Sequence, residues 1–368
     1  MRQGQYNNSS RTRLALRNCY VGRMISLVRV GRGLLESPRW AKALGRRVCL
    51  VSEPQVHARY GMRLLKALAA QGLEPSLHLL PTGEGAKTLS AARGLYSALV
   101  KAGVGRDGGV VALGGGAVTD TAGFAAATYL RGIPWISVPT TLLGQVDSGL
   151  GGKVGVNLAE GKNLVGAFHQ PKAVICDLKT LDSLPLREVI SGLGEAVKYG
   201  LVFDRRFFDR MRRDWDRLLA LEPSALAPVV RRCAAEKLRV VAIDERETKG
   251  ARELLNFGHT VGHALEAECG YGVLRHGEAV VWGMRAALAL SIMKTGLPRQ
   301  DALDAGRFLA SVKVPRPEVR PDRLVARMYR DKKVRGGRLR FVLLRGIGRP
   351  VVVPVTEKEA RDCLEVLT

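Results

Sequence analysis

Aromatic residues are scarce in this sequence of 368 residues, where phenylalanine, tryptophan and tyrosine together account for 5%. Proteins that bind single-stranded nucleic acid place aromatic side chains among basic ones so that bases can stack on them. Here the lysines and arginines are spread along the whole chain and are not interleaved with aromatics. The composition therefore predicts no nucleic-acid partner, and the formal net charge of +24 better suits a protein that handles anionic small molecules.

Long apolar stretches are also missing from the sequence. The best candidate, residues 279–293, is interrupted by Arg285, so we predict no membrane span. The first 23 residues carry arginines and serines but lack the continuous apolar core of a secretory signal. We predict a disordered extension at residues 1–23; a transit-like peptide and a start-site extension stay open as alternatives, because Met24 opens the first strand pattern.

Paired cysteine motifs are the third absence. The six cysteines are widely scattered and never form a CxxC pair or a zinc-knuckle spacing. Such usage is typical of a reducing compartment, so the sequence predicts a cytoplasmic protein.

The first half of the chain alternates between strand and helix patterns. Alternation of this kind predicts βαβ units and a parallel sheet that is covered on both faces. The predicted strands lie at residues 24–30, 47–52, 76–80, 109–113, 133–138 and 173–177, and the predicted helices at 34–44, 55–71, 88–102 and 117–130.

The pattern changes after Pro171. From Leu186 onward, apolar residues recur three and four positions apart, which is typical of α-helices. The predicted helices lie at residues 187–202, 206–219, 223–243, 253–269 and 278–294, with shorter ones beyond. We therefore predict an α/β domain at residues 24–180 and an α-helical domain at 181–368, with the boundary between Asp177 and Leu184.

A glycine-rich turn follows the strand predicted at residues 109–113. Gly114, Gly115 and Gly116 lack Cβ atoms, and the helix behind them is expected to begin with an acidic first turn at Asp120. A close backbone approach and free N–H groups at a helix N-terminus attract a phosphate or pyrophosphate. An ordinary strand-to-helix turn that binds nothing is the alternative. Polar and charged residues after the next strand favour a ligand site: Thr140, Asp147, Lys153 and Lys162.

Histidines are concentrated in the second half. His259 and His263 lie one helical turn apart in FGHTVGHALE, and His276 follows a glycine-containing loop. Thr260 stands where a zinc protease would need glutamate, so that class is excluded. Glu195 could complete a metal site with two histidines, leaving coordination positions open for catalysis. The spacing alone leaves two alternatives: structural histidines, and an intrahelical ion pair between Glu195 and Lys198.

Several longer motifs carry a resemblance to a known family. In chain order they are GGGAVTDTAGF, VPTTLLGQVDSGLGGKVGVN, GKNLVGAFHQP, SGLGEAVKYG, LLNFGHTVGHALE, HGEAV and DKKVRGG. Together they resemble 3-dehydroquinate synthase, a sugar-phosphate cyclase of the shikimate pathway, from about Met24 to the C-terminus. The resemblance implies NAD+, a divalent metal that is usually zinc with cobalt as an alternative, and commonly a homodimer. The implied substrate is 3-deoxy-D-arabino-heptulosonate 7-phosphate, which loses phosphate and forms 3-dehydroquinate.

The resemblance also implies roles for individual residues. The implied metal ligands are Glu195, His259 and His276. The implied NAD+ contacts are Glu84, Lys87, Gly114, Gly115, Gly116, Asp120, Thr140 and Thr141, with Lys153 and Lys162 nearby. The residues implied around the substrate are Asp147, Lys153, Asn163, Lys198, Lys237, Arg252, Asn256, His263 and Lys333, with Lys332 as an alternative to the last. Arg131 matches an arginine that reaches the phosphate site of the neighbouring subunit.

In the implied reaction NAD+ takes a hydride and returns it within one turnover, so there is no net oxidation. Lys198 and His263 are the candidates for proton transfer, with Asp147 orienting them. Related cyclases act on substrates without a carboxylate, and Lys237, Arg252 and Asn256 argue against that alternative. A metal-dependent alcohol or glycerol dehydrogenase is a further alternative, but it would accumulate NADH, which the implied reaction does not. A non-catalytic anion binder would leave the ordered ligand set unexplained.

Overall fold

The computed structural model describes residues 26–270, 272–330 and 339–367. The extension predicted at residues 1–23 lies outside these ranges, as do Lys332 and Lys333.

A parallel sheet of six strands forms the first half of the chain, in the order β1-β8-β5-β4-β2-β3. Every pairing in it is parallel, which confirms the predicted α/β class. Its central strand β4 is buried along its whole length, because helices cover both faces of a parallel sheet. The strands of the sheet are β1 (Leu27–Gly31), β2 (Arg47–Ser52), β3 (Glu74–Leu79), β4 (Gly109–Gly114), β5 (Trp135–Pro139) and β8 (Ala173–Asp177).

Helices connect these strands close to the predicted places. The Thr88 hydroxyl caps one of them by accepting a 3.1 Å hydrogen bond from the Ala91 N–H. The prediction of a helix at residues 34–44 is wrong. Only a 3-10 helix forms, at Arg39–Leu44, because Pro38 disfavours helical geometry at the residue before it. The connecting helices are Pro54–Val56, the π-helix His57–Gly61, Met62–Ala70, Leu89–Lys101 and Gly116–Thr128, with 3-10 helices at Gly83–Ala86 and Tyr129–Arg131.

An antiparallel hairpin follows β5 where the sequence predicts only an irregular polar run. A π-helix at Gly144–Ser148 leads into β6 (Lys153–Leu158) and β7 (Gly161–Phe168). Gly155 and Gly166 face each other across the hairpin, where side chains would meet the opposite backbone. Glycine lowers the strand signal of a sequence, which explains why this hairpin was not predicted.

The second half is mainly helical, and a C-terminal hairpin of β9 (Leu339–Leu344) and β10 (Pro350–Val355) adds to the predicted helices. The helix predicted at residues 253–269 is split by Gly258, whose φ of +79° ends a 3-10 segment before His259. The helices are Leu186–Phe203, Arg205–Arg213, Trp215–Leu219, Pro223–Ile243, His259–Glu268, His276–Thr295, Arg299–Ser311, Pro321–Arg330 and Glu357–Asp362, with 3-10 helices at Leu178–Ser183, Ala251–Asn256 and Cys363–Leu367.

The division into two domains stays a prediction. Strand β8 ends at Asp177 and the first long helix begins at Leu186, on either side of the predicted boundary. The largest apolar cluster nevertheless includes Val174 and Cys176 of β8 together with the helices. Within the described ranges, no helix combines the length and the apolar character that crossing a membrane requires.

Candidate active site

A cavity of about 580 Å³ lies where the β6–β7 hairpin meets the helices of the second half. This volume is in the range of small-molecule sites. Eleven of the residues predicted for the site line it: Asp120, Asp147, Lys153, Asn163, Lys198, Lys237, Arg252, Asn256, His259, His263 and His276.

Three candidate metal ligands meet beside this cavity, and two of them, His259 and His276, line it. Glu195 lies in the helix Leu186–Phe203, while His259 and His276 are the first residues of their own helices. One ligand atom from each of the three residues lies within 4.8 Å of the others. Glu195 and His276 come close because their helices cross at glycines, where a Cβ on Gly277 would overlap the Ser191 carbonyl oxygen.

The donor set fits a divalent metal such as Zn²⁺ or Co²⁺. Glu195 is fully buried, and among the described residues no hydrogen-bond partner reaches its Oε2. Its Oε1 accepts a hydrogen bond from Lys198 Nζ and lies 3.8 Å from His259 Nε2. His259 Nδ1 lies 3.2 Å from the Phe257 carbonyl oxygen, an arrangement that leaves Nε2 facing the glutamate. A buried carboxylate oxygen without a partner beside two imidazoles is what a metal site requires.

A network of charged side chains around Asp147 lines the cavity. Lys237 Nζ lies 2.7 Å from the Asp147 carbonyl oxygen and 3.0 Å from its Oδ1. Burial alone would raise the pKa of Asp147, but the charges of Lys237 and Lys198, with a hydrogen bond from Tyr199, hold it well below its usual range. Burial in turn lowers the pKa of Lys237, against the opposing pull of Asp147.

Arg252 is the buried arginine of the cavity, with 3% of its surface exposed. Its Nη2 donates a 2.9 Å hydrogen bond to the Gly151 carbonyl oxygen, and the guanidinium lies over the Phe168 ring at 5.8 Å. Neither Nε nor Nη1 has a hydrogen-bond partner among the described residues. Burial lowers the pKa of Arg252. A guanidinium with free N–H groups at a cavity suits a carboxylate.

The glycine turn lies beside this cavity. A Cβ on Gly114 would lie 2.6 Å from Val118, one on Gly115 3.4 Å from Thr141, and one on Gly116 3.2 Å from Ser148 Oγ. The Thr140 N–H donates a 3.0 Å hydrogen bond to the Gly114 carbonyl oxygen.

The prediction that Asp120 belongs to an acidic first turn is wrong. The helix already begins at Gly116, so Asp120 lies in its second turn. There Asp120 contacts Lys87, whose Nζ lies 2.7 Å from Asp120 Oδ2 and 2.5 Å from Asn163 Oδ1. Lys87 therefore joins a predicted NAD+ contact to a predicted substrate contact.

The remaining predicted residues lie around the cavity or away from it. Glu84 Oε2 accepts a 2.7 Å hydrogen bond from Asn157 Nδ2, and Lys153 Nζ donates to Glu247 Oε1. Lys162, in β7, lies near enough to Glu266 to influence it electrostatically. Arg131 is exposed and does not line the cavity, and its contact with a neighbouring subunit stays a prediction.

Sequence reasoning missed several polar residues of this region, among them Glu247, the partner of Lys153. Tyr199 supports Asp147, Glu266 contacts His276, and the buried Ser148 Oγ has no partner among the described residues. Two of them had a sequence signal, because Tyr199 follows Lys198 directly and Glu266 lies three residues after His263.

Comparison with known proteins decides the family. Residues 77–191 match the family described as 3-dehydroquinate synthase N-terminal, and residues 192–334 match the one described as 3-dehydroquinate synthase C-terminal. The chain belongs to the 3-dehydroquinate synthase family. The resemblance predicted from the motifs is thereby confirmed. A 3-dehydroquinate synthase from Desulforamulus reducens is 44% identical over 345 residues, which cover 93% of this chain and 94% of the relative.

Two solved structures from related enzymes share the fold. 2-epi-5-epi-valiolone synthase from Streptomyces hygroscopicus subsp. jinggangensis, with NAD⁺ and Zn²⁺ bound, has a TM-score of 0.85 at 32% identity, over 94% of this chain and 98% of its own. 2-deoxy-scyllo-inosose synthase, complexed with carbaglucose-6-phosphate, NAD⁺ and Co²⁺, has a TM-score of 0.83 at 29% identity, over 92% of this chain and 98% of its own. The fold class predicted for the 3-dehydroquinate synthase family is therefore confirmed.

Proposed function

We propose that this chain is a carbon–oxygen lyase that converts 3-deoxy-D-arabino-heptulosonate 7-phosphate to 3-dehydroquinate and phosphate. The observation that carries the proposal is the buried Arg252, which lines the same cavity as Lys237, Lys198 and the two metal-site histidines. Its Nε and Nη1 have no hydrogen-bond partner among the described residues. A substrate with both a carboxylate and a phosphate needs several cations, and the planar guanidinium matches the carboxylate. The relative that is 44% identical carries the name of this activity.

Two cofactors belong to the proposal. Glu195, His259 and His276 would hold a divalent metal, and the glycine turn with Lys87 and Asp120 would hold NAD⁺. When bound, NAD⁺ would supply reversible hydride acceptance at the substrate carbinol, and the metal would supply a Lewis acid for the oxygen of that carbon.

The chain's own residues bind the substrate and move protons. Arg252 binds the carboxylate, and Lys153 and Asn163 approach the phosphate from the hairpin. Lys198 and His263 handle protons near the substrate hydroxyls. Asp147 keeps Lys237 in place through its backbone carbonyl oxygen at 2.7 Å and its ionised carboxylate at 3.0 Å. Together these groups exclude water and orient the substrate between the hairpin and the helices.

The decisive experiment measures phosphate release and NADH absorbance in the same sample. With NAD⁺ and Zn²⁺, we expect phosphate from the heptulosonate phosphate and no net NADH. Sedoheptulose 7-phosphate, which lacks the carboxylate, is the competitor. Preference for that sugar would assign the chain to another cyclase activity, and steady NADH formation from a polyol without phosphate release would assign it to the dehydrogenases.

The metal site is tested separately. We expect that His259→Ala loses bound metal and activity while its thermal unfolding stays cooperative. Metal content equal to that of the unsubstituted protein would remove His259 from the ligand set.

We further propose a cytoplasmic homodimer of two-domain subunits, in which the exposed Arg131 contributes to the partner's phosphate site. Mixing Arg131→Ala subunits with subunits inactivated at Lys198 should restore part of the activity if the site is shared. Light scattering on the purified protein gives the oligomeric state directly.

A further inference from the structure

Glu266 contacts one of the metal-binding histidines from outside the triad. It lies in the last turn of the helix His259–Glu268, and its Oε2 is 3.0 Å from His276 Nδ1. The two side chains are largely enclosed, with 15% of Glu266 and 28% of His276 exposed. This contact is outside the ligand set that the sequence predicted.

The contact determines which ring nitrogen of His276 carries a proton. An ionised carboxylate can only accept hydrogen bonds, so Nδ1 must be the donor. A neutral imidazole protonated at Nδ1 has its lone pair on Nε2. Nε2 is then the atom that His276 offers to the site it shares with Glu195 and His259.

We propose that Glu266 is a positioning residue that fixes the tautomer and the ring orientation of His276 for metal binding. The proposal rests on the proposed metal site of Glu195, His259 and His276. Outer carboxylates of this kind orient a histidine ligand and increase its basicity, and their loss lowers metal affinity by about 10- to 100-fold.

Direct metal binding by Glu266 is the competing arrangement. His263, Glu266 and His276 also place one ligand atom each within 4.8 Å of the others. Two observations favour the positioning role. Glu266 Oε2 is already paired with His276 at hydrogen-bond distance, whereas Glu195 Oε2 is buried and has no partner among the described residues.

The experiment measures binding of Zn²⁺ alone to metal-stripped protein by competition with a chromophoric chelator, and records the visible spectrum of the Co²⁺ form. Glu266→Ala removes the acceptor, and we expect its Zn²⁺ affinity to fall about 10- to 100-fold. Glu266→Gln keeps an amide oxygen at the same place, so we expect an intermediate loss. Both variants should keep a Co²⁺ spectrum of the same coordination number, because the three ligands remain.

Glu268→Gln is the matched control. This glutamate ends the same helix but contacts Arg323 and Arg327 instead of the triad, so its metal affinity should not change. Thermal unfolding of the metal-free proteins checks that all variants fold.

Two results would overturn the proposal. Unchanged affinity in Glu266→Ala would show that the contact does not support His276. A loss as complete as that of His259→Ala, with a changed coordination number in the Co²⁺ spectrum, would make Glu266 a ligand. Metal binding is measured without substrate. A failed phosphate-release assay would therefore refute the proposed reaction but not the positioning role of Glu266.

Discussion

The Tyr199 hydroxyl donates a 2.6 Å hydrogen bond to Asp147 Oδ1. Burial, together with the negative charge of Asp147, raises the pKa of Tyr199 well above its usual value, so the phenol stays protonated and remains a donor. Tyr199 lies next to Lys198 on the Glu195-bearing helix, while Asp147 lies in the π-helix before β6. This hydrogen bond therefore fixes the hairpin side of the cavity to its helical side.

Replacing Tyr199 by phenylalanine tests that link. A hydrogen bond to a charged group contributes about 1.5–3 kcal/mol, which corresponds to roughly ten- to hundredfold in rate if Asp147 must be held in place. We expect Tyr199→Phe to lower the rate of phosphate release by that factor while the protein stays folded. Tyr96→Phe is the control, because its hydroxyl bonds to Thr128 away from the cavity. Equal rates in the two variants would contradict the prediction.

The carboxylate of Asp147 makes stability depend on pH. Burial opposes its ionisation, but Lys237 and Lys198 keep its folded-state pKa below the value of about 4 expected for the unfolded chain. A lowered pKa means that the contribution to stability is complete above about pH 4 and is lost as the pH falls toward the folded-state pKa. We expect Asp147→Asn to lower the thermal midpoint at pH 7, and the difference from the unsubstituted protein to shrink below pH 4. A difference that stays constant with pH would argue against this role.

The glycine crossing of two helices sets the geometry of the metal triad. In Gly277→Ala the new Cβ would overlap the Ser191 carbonyl oxygen and push the Glu195-bearing helix away from His276. We expect at least a tenfold loss of Zn²⁺ affinity and a destabilisation of about 1–3 kcal/mol, as for other overpacked sites. Gly306→Ala is the control, since nothing lies within 4 Å of its added methyl group, and it should leave metal binding unchanged. Native metal affinity in Gly277→Ala would show that the crossing can relax.

Arg252→Lys tests the carboxylate preference of the site. Lysine keeps the positive charge but loses the planar pair of N–H groups. We expect kcat/KM for the heptulosonate phosphate to fall about 10- to 100-fold, equivalent to the loss of one strong charged hydrogen bond. Turnover of sedoheptulose 7-phosphate should change much less, because it offers no carboxylate. Equal losses on both substrates would place Arg252 elsewhere in the reaction.

Regular elements with clear ends were predictable from the sequence. Strand Arg47–Ser52 and helix Pro223–Ile243 have the predicted bounds, because an apolar run and a proline at the first helical turn mark them unambiguously. The β6–β7 hairpin was not predicted, since its stability depends on pairing across glycines such as Gly155 and Gly166. Pairing of this kind has no local signal.

The candidate site was predictable only in part. The motifs indicated the ligand set, and the structure brings Glu195, His259 and His276 together although they are far apart in sequence. Tyr199 and Glu266 lie close to Lys198 and His263 in sequence, but each acts through a different residue, Asp147 or His276, and the spacing does not reveal that contact. Such supporting residues become visible only when the packing of the helices is known.

The sheet order has a consequence for synthesis on the ribosome. Strand β1 has β8 as its neighbour, with Leu27 opposite Ala173 and Gly31 opposite Asp177. At the usual elongation rates of about 5–20 residues per second, the time between translation of β1 and translation of β8 is on the order of ten seconds. Val28 and Val30 of β1 pack against the apolar cluster that contains Val174 and Cys176 of β8, so they are made early and covered late. Chaperones can reach them from the time they leave the ribosomal tunnel until β8 pairs.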